Sequence, residues 1–214
     1  MGDPASLDAA QIATACAAGS LDPADVVAAF QRCIAVRNSD LNAVVGETPS
    51  GLADDIATLR QRIARHEALP LAGVPVIVKD VIWVRGQRVT QGTLLFRDFV
   101  AAQDALAVAR LKQAGALVIG MGNSSEFACK GLTTNKLYGL TRHPMDPALT
   151  PGGSSGGCAA AVAAGAGAII DPARRCTTVS SCLRRFSMST CCSTSELVSV
   201  SSCWRRPSIR RASS

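Results

Sequence analysis

Two short stretches hold residue types that could do chemistry, a lysine closing an apolar run and a serine pair among glycines. Lys79 follows five uncharged residues in "VPVIVKD". A lysine at the end of a buried strand is desolvated, which disfavours the ammonium and makes the neutral amine, a proton acceptor, accessible near neutral pH. The same position also allows a salt bridge with the adjacent Asp80, or a side chain that reaches out to water along its apolar stem. The second stretch, "PGGSSGG" at residues 151–157, runs straight into the alanine-rich "CAAAVAAGAGA". Glycines and serines opening a helix leave backbone N–H groups free with no bulk around them, which suits an anion or a polarised carbonyl. A flexible surface loop has the same composition. No Gly-Lys-Ser/Thr follows, so this is not a nucleotide-binding Walker loop.

Alternating helix and strand signals surround these stretches. An alanine-rich helix is predicted over residues 7–18, with Ser6 as N-cap and Gly19 as its end. A second begins with Asp22 as N-cap and Pro23 at the first helical position, and Val26, Val27, Phe30 and Ile34 form its apolar stripe. Leu52, Ile56, Leu59 and Ile63 predict a third over 51–67, and a fourth runs over 104–114 to Gly115. "GVPVIVKD" and "ALVIGM" are short, β-branched and bounded by turn formers, so both read as buried strands. "NSSEF" has Asn123 and Glu126 at capping-box spacing and reads as a helix start. Strands separated by helices point to an α/β architecture around a buried mixed or parallel sheet.

The net charge of +6 is unevenly placed. Residues 172–214 hold eight arginines and one acid, Glu196, whereas residues 1–171 are slightly acidic. Five of the nine cysteines crowd that tail; Cys16, Cys33, Cys129 and Cys158 lie in the body without metal-type spacing and read as small buried residues. No apolar run reaches membrane-spanning length and no leader pattern opens the chain, so a cytoplasmic protein without a membrane partner is expected. Neither a cofactor nor a metal site is indicated, and the oligomeric state is not legible.

Taken together, "LAGVPVIVKDVIWVRGQRVTQGT" (71–93), "DALAVARLKQAGALVIGMGNSSEFA" (104–128) and above all "TRHPMDPALTPGGSSGGCAAAVAAG" (141–165) closely resemble the amidase signature family, over most of residues 5–168. Met121-Gly122 stands where many members have Lys-Thr. The resemblance implies the N-terminal part of an amidase-signature mixed sheet with flanking helices, truncated here. It also implies an amidase acting on carboxamide C–N bonds of a small-molecule substrate through a Ser-Ser-Lys triad, with no cofactor. A serine nucleophile attacks the carbonyl, a bridging serine passes its proton on, and a neutral lysine accepts it. By motif position Lys79 is the base and Ser154 the bridging serine. Gly152, Gly153 and Ser155 support them, Ser155 by holding Lys79, and a cis peptide is expected at Gly153–Ser154.

The family places its nucleophile about two dozen residues further on, in a Gly-Thr-Asp-x-Gly-Gly-Ser stretch that also supplies the oxyanion hole. Here that region reads "AIIDPARRCTTVSSC"; Thr177 and Thr178 lie near the position, but without the glycines, and no nucleophile is identified. The resemblance ends at about Ala168. Serine, arginine and cysteine then rise together and periodicity vanishes, so residues 172–214 read as a frame-shifted, disordered tail and the chain as an inactive amidase fragment. A basic tail binding RNA or DNA is the weaker alternative, since it has few aromatic residues and no recognisable motif. A zinc or disulfide module is weaker still, for want of Cys-x-x-Cys spacing or histidine. Within the family, a free amidase and the A-subunit-like tRNA-dependent amidotransferase both stay open, the former preferred.

Overall fold

The computed structural model of the chain describes residues 3–170, with side chains described as far as 167. Residues 172–214, with Thr177, Thr178 and every expectation placed on the tail, lie outside the described residues. The element order is α1 (Ala9–Ala17), α2 (Pro23–Leu41), β1 (Val44–Val45), α3 (Leu52–Ala64), β2 (Pro75–Lys79), α4 (Leu106–Gln113), β3 (Leu117–Gly122), β4 (Thr134–Asn135), β5 (Gly139–Leu140), α5 (Gly156–Ala163) and β6 (Ala168–Ile170).

The main sheet has the order β1-β3-β2-β6 and is mixed, as expected: β2 pairs in parallel with both β3 and β6, while β1 runs antiparallel to β3. Every residue of β2 and β3 is buried. Strands covered on both faces read as continuous apolar runs, and β-branched side chains suit the pleated surface. Val76, Ile77 and Val78 are 2 % exposed or less, and each contributes about 1.5–3 kcal/mol by leaving water. The register sets Lys79 opposite Gly122, so the lysine ends the strand at the rim of a dry layer.

Helix α5 packs on β2, β3 and β6, and α2 packs on α3 and α5. The start of α2 is as read, with the Asp22 carboxylate accepting from Ala24 N and Pro23 in the first turn. The start of α1 is not. Asp8, rather than Ser6, caps it through a reciprocal capping box with Gln11, and Ser6 belongs to a preceding 3₁₀ turn, Pro4–Ser6. "NSSEF" does not open an α-helix either: only a 3₁₀ turn, Glu126–Ala128, forms, with Phe127 at φ 49°. The body cysteines are likewise not uniformly buried, since Cys16 and Cys158 are buried, Cys33 is half-buried and Cys129 is exposed. Among the described residues no helix is long and apolar enough to cross a membrane.

Candidate active site

Lys79 and Ser154, 75 residues apart in sequence, meet at the carboxyl end of β2. The Lys79 Nζ donates to Ser154 Oγ at 2.6 Å. Lys79 is only 5 % exposed, so it does not reach out to water. The neighbouring Asp80 carboxylate is turned to the loop beyond: it accepts from Thr90 N at 2.8 Å, from Thr90 Oγ1, and from Gly92 N at 3.3 Å. Burial pushes the Asp80 carboxyl above the usual carboxylate range, opposed by those Thr90 and Gly92 hydrogen bonds. A carboxyl whose folded pKa is raised stabilises the fold fully below its unfolded pKa, near 4, and that contribution is lost as pH rises through the folded value. Thr90→Val removes a donor to the buried carboxylate. It is expected to lower stability by about 1–3 kcal/mol at pH 7 and by less at pH 4, measured by urea unfolding at the two pH values. An equal loss at both would mean that Thr90 acts through packing alone.

The serine-bearing loop is held at several points. The Gly153–Ser154 peptide is cis, as the resemblance implied. Ser154 O accepts from Ser125 N at 3.3 Å, and Gly152 O accepts from Thr133 N at 3.1 Å and from Thr133 Oγ1 at 2.9 Å. Gly153 lies against the backbone of Gly131 and Leu132, where a β-carbon would come within 2.8 Å of Leu132 N. Ser155 stands at the N-cap of α5 without a side-chain cap bond and is buried. Gly157 N donates to Asn123 O at 3.1 Å, joining the first turn of α5 to the end of β3.

The sequence reading missed what braces this loop. Asn123, read as a helix cap, is wholly buried and joins separate segments instead. Its Nδ2 donates to Thr141 Oγ1 at 3.0 Å and its Oδ1 accepts from Asn135 Nδ2 at 2.8 Å. Asn135 Nδ2 also donates to Ser124 O at 2.8 Å. The polar run "GLTTN" at residues 131–135, whose last two residues form the short β4, was the available signal, a cluster with neither a strand's apolar alternation nor helical spacing.

The arrangement is an amine hydrogen-bonded to a hydroxyl, buried on one side and carried on a glycine-rich loop. The pattern that defines the Amidase family matches residues 25–169, more than half of the chain. The chain belongs to the amidase signature family. It is 40 % identical over 154 residues to the A-subunit of the glutamyl-tRNA(Gln) amidotransferase of Alkalilimnicola ehrlichii, covering 72 % of this chain and 32 % of that protein. It is also 40 % identical over 162 residues to the indoleacetamide hydrolase of Bradyrhizobium diazoefficiens, covering 75 % and 31 %. Among solved structures, the peptide amidase of Stenotrophomonas maltophilia superposes with a TM-score of 0.71 at 30 % identity, covering 77 % of this chain and 35 % of that one. A bacterial aryl acylamidase of the amidase signature family gives 0.70 at 30 % identity, covering 76 % and 34 %. This amidase-family chain thus spans about a third of the length of the relatives it matches.

Proposed function

We propose that this chain carries the proton relay of an amide-cleaving enzyme of the cytoplasm, with Lys79 as base and Ser154 as bridging serine, and lacks the serine nucleophile. The observation that carries the reading is the 2.6 Å bond between Lys79 Nζ and Ser154 Oγ in a site where the lysine is 5 % exposed. A neutral amine at that distance accepts the Ser154 proton as Ser154 takes one from a nucleophilic hydroxyl. The nucleophile oxygen then bonds to the carbonyl carbon, and the proton returns through the relay to the leaving nitrogen as the C–N bond breaks. A small carboxamide is the expected substrate, and no step in this sequence calls for a cofactor.

The 40 % identity to the A-subunit of an amidotransferase supports a second reading, in which the same relay serves transfer to a misacylated tRNA rather than hydrolysis. The similar hydrolase and peptide amidase support the first.

Incubation of the 214-residue chain with a serine-directed fluorophosphonate and a panel of small carboxamides should give no stoichiometric labelling and at most trace turnover. Removing a single oxyanion donor already costs on the order of 10²–10³ in rate, and here the donors and the attacking group are missing together. Turnover abolished by Lys79→Ala would overturn the claim that the nucleophile is lacking. Reading the coding DNA in its other frames beyond residue 171 tests the rest: a Gly-Thr-Asp-x-Gly-Gly-Ser stretch in one of them is expected, and its absence from all of them would sink the frame-shift account.

A further inference from the structure

We propose that Thr133 is the positioning residue of the relay, its single hydroxyl clamping the loop on both sides of Ser154. This rests on Lys79 and Ser154 forming the relay proposed above. Thr133 Oγ1 donates to Gly152 O at 2.9 Å and accepts from Gly156 N at 2.9 Å. The two partners flank Ser154 at two residues' distance on either side, so one atom fixes the chord of the turn that carries the bridging hydroxyl. Thr133 N adds a second bond to Gly152 O at 3.1 Å.

The chemistry of the clamp restricts which side chain can serve. Gly152 O needs a donor and Gly156 N–H needs an acceptor, both within reach of the same point. A hydroxyl, with one proton and two lone pairs, does both from one atom, whereas an amide presents its donor and acceptor on separate atoms. The space is equally restricted, because a β-carbon on Gly156 would come within 2.9 Å of Thr133 Cβ. Thr133 is itself 0 % exposed and anchored from outside the loop, its carbonyl accepting from Thr141 N at 3.0 Å. Thr141 in turn donates through its hydroxyl to Asn42 O at 2.7 Å. The clamp is therefore tied to the end of α2 rather than to the loop it holds.

Lys79 supplies a readout that needs no turnover. The chain has four lysines, Lys79, Lys112, Lys130 and Lys136, so ¹³C-lysine labelling gives four Cε signals, and Lys79→Met assigns the one of interest. Ser154→Ala removes the hydroxyl from Lys79 directly and is expected to move its titration midpoint by about one pH unit. Thr133→Val, which keeps the shape and loses the hydroxyl, is expected to move it in the same direction by a comparable amount. Thr133→Ser is expected to leave it at the wild-type value. In the Thr133→Val/Ser154→Ala double variant the shift should equal that of Ser154→Ala alone, because the clamp acts through Ser154.

Additive shifts, or a Thr133→Val midpoint equal to wild type while Ser154→Ala moves it, would overturn the clamp and leave the relay standing. A Lys79 midpoint untouched by Ser154→Ala would sink the relay and the clamp together. If Thr133→Val does not yield folded protein, Thr133→Ser decides alone: a midpoint displaced like that of Ser154→Ala overturns the proposal, and a wild-type midpoint supports it.

Discussion

Gly157→Ala is expected to destabilise the chain by about 3 kcal/mol or more, the largest stability effect of any single methyl added to the glycine-rich loop. Added methyls in packed interiors ordinarily cost about 1–3 kcal/mol because side chains can shift to admit them. Here the obstacle is backbone. A β-carbon on Gly157 would lie closer than 3.0 Å to Asn123 N, Asn123 O and Ala43 O. Those three atoms are already committed, since Asn123 N donates to Ala43 O at 2.8 Å and Gly157 N donates to Asn123 O at 3.1 Å. Relieving the clash means parting α5 from the end of β3, which separates Ser154 from Lys79 as well. Gly131→Ala is the matched comparison, because a β-carbon there meets nothing within 4 Å. It should stay within about 0.5 kcal/mol of wild type. Urea unfolding of the two variants decides it; a Gly157→Ala chain as stable as Gly131→Ala would mean that α5 does not sit against Asn123.

The contrast between Gly157 and Asn123 also explains what the sequence could tell. Local signals carried the parts whose stabilisation is local. Asp22-Pro23 opens α2 because one side chain satisfies the helix's free N–H groups and the other presets its backbone angle. The apolar runs of β2 and β3 were legible because a strand covered on both faces has no polar side to hide. Lys79 was legible as the charged end of such a run. The cap read at Asn123 failed for the opposite reason. Its amide satisfies groups on β1's approach, β4 and the segment after β5, contacts 12 to 81 residues away in sequence that outbid a local cap. Ser6 lost to Asp8 by a margin visible in retrospect, since only Asp8 has a glutamine three residues on to answer it. Thr133 gave no periodic signal, because what it does depends on a loop 19 to 23 residues further along.

In a chain that carries the proposed relay together with a serine nucleophile, Lys79→Ala is expected to lower kcat by about 10²–10⁴, the range in which a positioned base contributes. Ser154→Ala should fall in the same range, and the double variant should be no slower than the worse single one, because groups that act as a unit are lost as a unit. The pH profile separates a lost base from a damaged fold. Under the proposed relay a neutral amine is the active form, so activity should rise with pH, and that rising limb should vanish in Lys79→Ala. Lys79→Arg should be as slow as Lys79→Ala, since a guanidinium does not deprotonate in this range. Lys79→Met fills the same space with an apolar side chain in a position only 5 % exposed. It should fold at least as stably as wild type while remaining as slow as Lys79→Ala, since burying an apolar group avoids the desolvation of an amine. Retention of more than about a tenth of the wild-type kcat in Lys79→Met, well above the range for a lost base, would show that the proton leaves by another route. The bond between Lys79 and Ser154 would then serve only to hold the loop.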